Sequence, residues 1–361
     1  MKTQHQMKRV LITGAGGAPA LNFINSLRVA PEPFHIIGVD CSKYALARAR
    51  TDSRHLVPRS DDPEYIAVMR HVIAETGAQV LFVQPDPEVA VISENRKRLG
   101  ITTFLPDKET VRICQNKFET FRRWHEAGLK VPRTLLVKDR EDLTRAFDEF
   151  GDLWLRPVIG AAGRGALRPD NFQQASLWLD AYDGWGSYTA ATYLSPQSVT
   201  WQSIWNKGEL VVAQSRLRLY WEFADRAPSG VTGITGSGVT IADAELDELA
   251  RRAVFAIDKS PHGVFSVDFT YDDEGIANPT EINIGRFFTT HFFFTAAGLN
   301  MPYILVKLAY GEQPPLPKQR INPLPPGLVW VRGMDMEPVL TDVQALDRYE
   351  QELAARLPVH A

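Results

Sequence analysis

Short apolar runs alternate with amphipathic segments in the N-terminal part of the chain. Apolar runs typical of strands buried on both faces occupy residues 9–13, 36–40 and 79–83. Between the first two runs, the residue pattern predicts a turn at 14–17 and a helix over 20–29. This alternation of strand and helix indicates an α/β unit whose parallel sheet is covered by helices on both sides.

A different pattern begins near Pro106. Asp107 is a good N-cap for one long helix over 108–127 that stops at Gly128. The apolar positions predict one buried face for this helix, formed by Val111, Cys114, Phe118 and Phe121. An α+β segment follows, with a strand end at 154–157 and a glycine-containing loop at 160–165.

The C-terminal half is predicted to consist mostly of strands from about residue 190, with one clear helix near 243–257. After Pro314 the chain is proline-rich and then ends in a charged helix over about 342–356. We find no internal repeat and no low-complexity tract.

Residues 264–283 predict a β-hairpin with polar chemistry on one face. Alternation directs four apolar side chains to the core: Val267, Phe269, Ile282 and Ile284. A tip at Glu274-Gly275 would pair Asp273 with Ile276 and set Asp268 directly opposite Glu281. Two facing carboxylates repel each other unless a divalent cation lies between them, and Asn283 on the same face adds a third oxygen ligand suited to Mg²⁺. The alternative is a polar face exposed to solvent.

Composition and charge exclude several classes of protein. The 361 residues include 40 basic and 43 acidic side chains, a net charge of −3 without the basic excess of a general nucleic-acid binder. Cys41 and Cys114, the only cysteines, lie far apart in sequence and suggest free thiols in a reducing compartment. The sequence has neither a membrane-spanning apolar stretch nor a signal-peptide core, so we expect a cytoplasmic protein.

Taken in order, these motifs resemble the ATP-grasp ligases, and the N-terminal unit is similar to carbamoyl-phosphate-synthase-like and biotin-carboxylase-like chains. The resemblance runs from about Arg9 to Gly311. It implies four parts: an N-terminal parallel α/β (pre-ATP-grasp) domain over 1–106, a linking helix and small lid lobe over 107–190, a larger C-terminal lobe carrying the metal-binding hairpin over 191–313, and a C-terminal extension over 314–361.

The resemblance also implies which residues act. Nucleotide would lie between the two lobes, in contact with Lys117, Arg156, Gly163, Arg164, Gly165, Tyr193, Leu194 and Ser198. The ligands of Mg²⁺, or of Mn²⁺ as the alternative ion, would be Asp268, Glu281 and Asn283. The cations that act on the transferring group would be Arg286, Arg218 and Arg216.

The sequence departs from the family pattern at four of these positions. Arg156 stands in place of a lysine, and Thr192 stands where an acid commonly opens the hinge motif. Ser198 lies near the place of a glutamate that binds ribose, and Arg286 comes one residue later than usual. Because an arginine is planar and forked, its phosphate contacts would differ from those of a lysine.

The activity implied by the resemblance is ATP- and Mg²⁺-dependent ligation of a carboxylate to an amine through an acyl phosphate, with release of ADP and phosphate. The expected partners are small-molecule carboxylates and amines, with no nucleic acid and no membrane, and a homodimer as an option. Two alternatives keep the same fold: phosphorylation of bicarbonate or carbamate, and nucleotide binding without catalysis.

Two further signals carry alternatives of their own. The turn from Gly14 to Pro19, followed by Asp40 at the end of the next strand, resembles a dinucleotide-binding fingerprint. Because Pro19 replaces the third glycine of that motif, an NAD-linked oxidoreductase is the disfavoured alternative. Aromatic residues at 287–294 surround His291. They predict core packing, with an aromatic substrate pocket as the alternative.

Overall fold

Three β-sheets organise the chain in the computed structural model, which describes residues 7–161, 163–333 and 343–357. The first sheet has five parallel strands in the order β3-β2-β1-β4-β5. These strands are β1 (Lys8–Thr13), β2 (Phe34–Asp40), β3 (Ser53–Leu56), β4 (Val80–Phe82) and β5 (Thr102–Thr103). The helices between them are α1 (Ala18–Arg28), α2 (Lys43–Arg48), α3 (Tyr65–Thr76) and α4 (Asp86–Leu99).

Both faces of this sheet are buried, as the continuous apolar runs predict. Leu11 and Ile37 pack in the core that includes α3 and α4, whereas Val10 and Ile12 pack in the core that includes α1. The strand order reverses direction between β1 and β4, so a crevice opens there at the carboxyl ends of the strands.

The single helix predicted over 108–127 is wrong, because the structure has two. Helix α5 (Lys108–Gln115) ends at Asn116, and α6 (Lys117–Glu126) starts directly after it. Asn116 adopts an extended backbone, and its side-chain oxygen accepts a hydrogen bond from Glu119 N at 2.9 Å, which is the geometry of an N-cap.

This break changes which residues of the second helix are buried. In α6 the buried side chains are Thr120 and Trp124, whereas Phe118 and Phe121 are only half-buried. Trp124 Nε1 donates to Ala253 O at 2.9 Å, so the helix is joined to a segment far away in sequence.

A three-stranded antiparallel sheet forms a small lobe in the order β6-β8-β7. Its elements are β6 (Thr134–Val137), α7 (Arg140–Phe150), β7 (Leu153–Pro157), α8 (Phe172–Ala181) and β8 (Tyr188–Thr192). Its buried side chains form a hydrophobic cluster of their own, within residues 137–190. The predicted strand end at 154–157 is confirmed as the end of β7.

The third sheet is antiparallel, in the order β13-β12-β9-β10-β11-β14. Its strands are β9 (Ser198–Asn206), β10 (Glu209–Trp221), β11 (Thr235–Ile241), β12 (Gly263–Tyr271), β13 (Ala277–Ile284) and β14 (Val329–Val331). The helices of this region are α9 (Ala244–Ile257), α10 (Phe292–Ala296), α11 (Met301–Ala309) and α12 (Val343–Arg356), with a 3₁₀ turn at Ala224–Arg226.

The hairpin of β12 and β13 pairs Asp268 with Glu281, as predicted, although the predicted tip is wrong. The backbone N–H of Asp272 donates to Ile276 O, so the tip is shifted by one residue. A register shift after Asp268 then inserts Thr280 as an extra residue and restores the predicted pairing. The four predicted core residues of the hairpin are buried, with exposed fractions of 4% or less.

The N-terminal sheet and the large antiparallel sheet share their hydrophobic cores. Each of the two larger buried clusters contains side chains from both sheets, for example Leu11 with Phe265 and Ile12 with Val264. Helix α12 folds back onto the N-terminal sheet, where Arg356 forms an ion pair with Glu75 at 3.0 Å. The domain boundaries given above stay predictions.

The longest helices, α4, α9 and α12, have 14 residues each. Within the described parts of the chain, no helix has the length and apolar character needed to cross a bilayer, which takes about 20 apolar residues.

Replacement of Asn116 by alanine removes the cap of α6 and leaves its first N–H groups without that partner. We expect N116A to lower the free energy of unfolding by about 1 kcal/mol in chemical denaturation. Asn116→Asp retains a capping oxygen and serves as the matched control. Equal stability of N116A and the wild-type protein would contradict the capping role.

Candidate functional site

The paired carboxylates of the hairpin face a polar region beside the β9–β10 strands. Asp268 is held by two side chains: Thr200 Oγ1 donates to its Oδ1 at 2.5 Å, and Asn283 Nδ2 donates to its Oδ2 at 3.1 Å. Burial raises the pKa of Asp268, the nearby Arg218 opposes this shift, and Glu281 adds to it. The carboxylate is therefore placed where a cation would stabilise its charged form.

Arg216 and Arg218 project from β10 toward the same carboxylates. Arg216 Nη2 and Arg218 Nε both donate to Thr235 Oγ1 at 3.2 Å, which shows that the two side chains share one side of the strand. Burial lowers the pKa of Arg216 to about 9, and it also lowers the pKa of Arg218. Both arginines nevertheless stay charged at neutral pH.

Arg216 is the more constrained of the two. Its side chain is 2% exposed, and its guanidinium lies 4.7 Å from the ring centroid of Phe288. Two of its nitrogens, Nε and Nη1, have no hydrogen-bond partner among the described residues. A buried guanidinium with unused donors is suited to bind an anion such as a carboxylate or a phosphate.

Arg156 and Lys117 approach the carboxylates from the other side, on elements of the small lobe and its linking helix. Arg156 Nη2 donates to Thr280 O at 2.9 Å, and Arg156 Nη1 lies 3.9 Å from Glu281 Oε2. Lys117 Nζ donates to Gly160 O, at the start of the glycine loop. Burial lowers the pKa of both cations, because it penalises their charged forms.

Arg286 is anchored by an acid that sequence reasoning missed. Its Nη2 donates to Asp86 Oδ2 at 2.8 Å and to Asn283 Oδ1 at 2.8 Å. Burial opposes the charge of Arg286, but contact with Asp86 raises its pKa. Asp86 is the first residue of α4, beyond the loop that follows β4, and a polar residue at the carboxyl end of a parallel strand is the signal that could have found it.

Five cationic side chains and three carboxylates therefore interact electrostatically in this site, namely Lys117, Arg156, Arg216, Arg218 and Arg286 with Asp86, Asp268 and Glu281. The cations are in excess, although Arg216 is buried and the other four are only partly exposed. Such an excess is costly in a protein interior unless an anion of high charge compensates it.

The predicted metal ligands fit a hard divalent ion. Asp268 and Glu281 face each other in register, and burial, with a smaller contribution from Glu281, raises the pKa of Asp268. Asn283 directs its Nδ2 at Asp268 and its Oδ1 at Arg286, so its amide would have to turn for the oxygen to join the two carboxylates on a metal ion. In the described part of the chain, no group of three or more His, Cys, Asp or Glu side chains is arranged for a metal, so the site supplies two carboxylates and one amide.

The glycine loop packs against a second loop from the large lobe. Gly163 and Gly165 have φ values of +67° and +72°, a conformation that glycine adopts without strain. A Cβ on Gly163 would lie 2.5 Å from the backbone oxygen of Val231. Arg164, between the two glycines, is exposed. This close approach explains why the loop needs its glycines.

The predicted hinge contains a peptide with unused hydrogen-bonding groups. Tyr193 N donates to Asp152 O at 3.0 Å, whereas the N–H and C=O of Leu194 have no partner within the described residues. The guanidinium of Arg168 lies 3.9 Å from the ring centroid of Tyr193 and also pairs with Asp152, a contact that sequence reasoning missed. A free peptide beside an aromatic ring is suited to the edge of a purine base.

Ser198 does not stand free at this site. Its hydroxyl accepts a hydrogen bond from Arg218 Nη1, and the residue is 9% exposed. The hydroxyl therefore helps to orient the arginine. To bind a ribose, the Ser198 hydroxyl would have to keep its bond from Arg218 and make a second one. The ribose contact stays a prediction.

The glycine turn after β1 is closed in a way that disfavours a dinucleotide. Asp40 accepts hydrogen bonds from the backbone N–H groups of Gly16, at 3.2 Å, and Ser42, at 3.0 Å. A Cβ on Gly16 would lie 1.8 Å from the backbone oxygen of Ala45, so α2 covers the turn. Asp40, the acid that would bind the ribose of a dinucleotide, is therefore hydrogen-bonded to backbone N–H groups instead.

His291 and the aromatic residues around it belong to the core, as favoured above. His291 is 1% exposed, its Nδ1 lies 2.8 Å from Phe288 O, and burial lowers its pKa to about 4. Phe287 packs against its ring at a centroid distance of 4.9 Å. Trp201 and Trp205 are buried as well, whereas Tyr220 is exposed.

Comparison with known proteins identifies the fold. A family model described as the PylC-like N-terminal domain matches residues 10–104. The fold is similar to the biotin carboxylase domain of the Hydrogenobacter thermophilus 2-oxoglutarate carboxylase, crystallised with MgADP and bicarbonate: the TM-score is 0.69 at 16% identity, with 90% of this chain and 74% of that chain covered.

Two further structures represent other reactions on a similar fold. Carboxyaminoimidazole ribonucleotide synthase from Aspergillus clavatus, complexed with ATP, has a TM-score of 0.66 at 17% identity and covers 87% of this chain and 79% of its own. The L-amino acid ligase from Bacillus licheniformis has a TM-score of 0.63 at 14% identity, and the match covers 85% of this chain and 75% of that chain. The chain therefore has the ATP-grasp fold with a biotin-carboxylase-like N-terminal unit, which confirms the predicted fold class.

Glu88, in the crevice beside the glycine turn, predicts a pH dependence of stability. Burial raises its pKa to about 7, the Thr13 and Tyr65 hydroxyls oppose the shift, and the negative Asp40 adds to it. Because the folded protein holds this proton more tightly than the unfolded chain, stability falls as pH rises from about 4.5 to about 7 and then levels off.

We expect Glu88→Gln to remove this fall and to stabilise the protein at about pH 8 by roughly 3 kcal/mol at most. Urea unfolding of both proteins at about pH 5 and pH 8 measures the difference. The exposed Glu94 on the same helix provides the control, E94Q, which should leave the pH dependence unchanged. If the free energy of unfolding changed with pH in the same way in wild type and E88Q, the raised pKa of Glu88 would be contradicted.

Proposed function

We propose that the protein is an ATP- and Mg²⁺-dependent ligase that joins a small carboxylate to an amine through an acyl phosphate. The observation that carries this proposal is the excess of buried cations around the paired carboxylates Asp268 and Glu281. A nucleoside triphosphate with its metal ion is an anion of the charge that such a site requires. The ATP-grasp fold supports the same conclusion.

The nucleotide would lie between the small and large lobes. Lys117 and Arg156 would bind its phosphates, and the backbone of the glycine loop would lie over them. The free peptide groups of Leu194, beside Tyr193, would bind the edge of the base. Asp268, Glu281 and Asn283 would hold Mg²⁺, which when bound neutralises charge on the phosphate oxygens.

The reaction has two steps. First, an oxygen of the substrate carboxylate attacks the γ-phosphorus, so the new C–O–P linkage forms while the bond to ADP breaks. The amine then attacks the acyl carbon, the C–N bond forms, and inorganic phosphate leaves with the bonding pair, while the amine gives up a proton. Arg216 and Arg218 would stabilise the negative charge that develops in both steps, because they lie beside Asp268 in a buried site.

One observation also favours a second candidate, in which bicarbonate is the acid that is phosphorylated. The unused donors of Arg216 fit any small carboxylate, and bicarbonate presents the same pair of anionic oxygens. In that case ATP hydrolysis would depend on bicarbonate and would need no amino acid. The same assay separates the two candidates.

The test measures phosphate and ADP release from Mg·ATP over a panel of amino acids and small carboxylic acids, with and without bicarbonate. We expect a carboxylate and an amine together to stimulate release. Glu281→Gln removes one carboxylate from the metal site and should lower kcat by at least about a hundredfold.

The matched control is Glu274→Gln at the exposed tip of the same hairpin, which should leave the rate unchanged. A responsive substrate that E281Q turns over at the wild-type rate would contradict the assignment. Nucleotide binding without phosphate release over the whole panel would favour the non-catalytic alternative instead.

A further inference from the structure

The second half of the glycine loop forms a tight turn with an exposed arginine at its tip. Gly163 O accepts a hydrogen bond from Ala166 N at 3.1 Å, which closes the turn over Arg164. Gly165 follows the arginine with a φ of +72°, which glycine adopts without strain. We call residues 163–166 the Arg164 turn.

Trp178 on α8 binds this turn at one peptide group. Its indole Nε1 donates to Gly165 O at 2.9 Å. The N–H of the same peptide group belongs to Ala166 and is bonded to Gly163 O, so both polar groups of this peptide are paired. The Trp178 ring packs against the core of the small lobe, and its centroid lies 4.7 Å from that of the Tyr182 ring. The bond therefore joins the turn to a packed helix.

The indole bond supplements backbone contacts that begin only after the turn. Leu167 and Leu155 exchange two backbone hydrogen bonds, of 2.8 and 2.9 Å, so the chain is fixed to β7 from that point. Within residues 163–166, the bond from Trp178 is the one side-chain hydrogen bond that the described part of the chain supplies. The orientation of the turn therefore depends on one indole N–H.

The Arg164 turn presents backbone donors that are not used inside the protein. The N–H groups of Gly163 and Gly165 have no partner among the residues that the structure describes. Neighbouring backbone N–H groups in a turn of this kind can form a concave site for an anion. The direction of these N–H groups depends on the peptide that Trp178 holds.

We propose that Trp178 is a positioning residue for the nucleotide, because its indole N–H fixes the Arg164 turn and thereby directs the N–H groups of Gly163 and Gly165 toward phosphate oxygens. The role toward phosphate rests on the proposed function, whereas the anchoring of the turn does not. Trp178 contacts the turn and acts on the nucleotide through it.

Trypsin cleavage after Arg164 measures release of the turn in the absence of any ligand. When opening is fast relative to cleavage, the rate of cleavage follows the population of the open form. Trp178→Phe retains an aromatic ring and removes the donor. We expect W178F to be cleaved after Arg164 about fivefold faster than the wild type, the factor that corresponds to one lost hydrogen bond. Mass spectrometry identifies the bond that is cleaved.

The matched control is Trp185→Phe. Trp185 packs against the same core and donates to Asp180 Oδ1 at 2.7 Å, without a hydrogen bond to the turn. W185F should be cleaved after Arg164 at the wild-type rate. Arg145, exposed on α7 of the same lobe, reports unfolding of the lobe, and cleavage there should be unchanged in W178F. Equal cleavage after Arg164 in W178F and wild type, or an equal rise after Arg145, would overturn the anchoring role.

Titration calorimetry with Mg·ADP tests the role toward phosphate. We expect W178F to bind Mg·ADP roughly two- to fivefold more weakly than the wild type, because binding must then order the turn, and W185F to bind it equally well. Equal affinity of W178F and wild type would overturn the positioning role.

The two measurements separate this inference from the proposed function, because trypsin cleavage needs no nucleotide. A wild-type protein that fails to bind Mg·ADP, together with faster cleavage of W178F after Arg164, would overturn the proposed function and the role toward phosphate, and it would support the anchoring of the turn.

Discussion

Buried positive charge around Asp268 and Glu281 is the constraint on which the rest of the site depends. Arginines on β10 and β7 stay charged in the interior only because carboxylates and polar oxygens lie beside them, and these do not balance them fully. A polyphosphate with its metal ion would complete the balance, which is the physical basis of the proposed reaction.

The two halves of the molecule are held together by different means. The parallel sheet and the large antiparallel sheet share buried clusters, and the ion pair between Asp86 and Arg286 joins them at the site. The small lobe has a core of its own. Its glycine loop reaches the large lobe through the close approach of Gly163 to Val231. The groups proposed to bind phosphate on this lobe, Arg156 and the glycine loop, therefore belong to a unit with its own core.

Opposite charges are separated across the loop that leads into α4. On one side lie the cations that surround the hairpin, and on the other lie Glu88 and Asp40. The glycine turn, although similar to a dinucleotide fingerprint, is bonded to Asp40 and covered by α2.

Local patterns in the sequence determined three of the five strands of the parallel sheet and the core face of the hairpin, since alternation acts over a few residues. The predicted pairing of Asp268 with Glu281 is observed because the extra residue Thr280 offsets the one-residue error at the predicted tip. The break at Asn116 was missed because its capping oxygen competes with helix propensity on both sides. Only the tertiary structure decided that Asp86 holds Arg286, that Thr235 aligns two arginines and that Ser198 is bonded to Arg218. These contacts join residues that are distant in sequence. Local periodicity predicts strands and helices, but it does not predict which distant side chains come together when the three sheets pack.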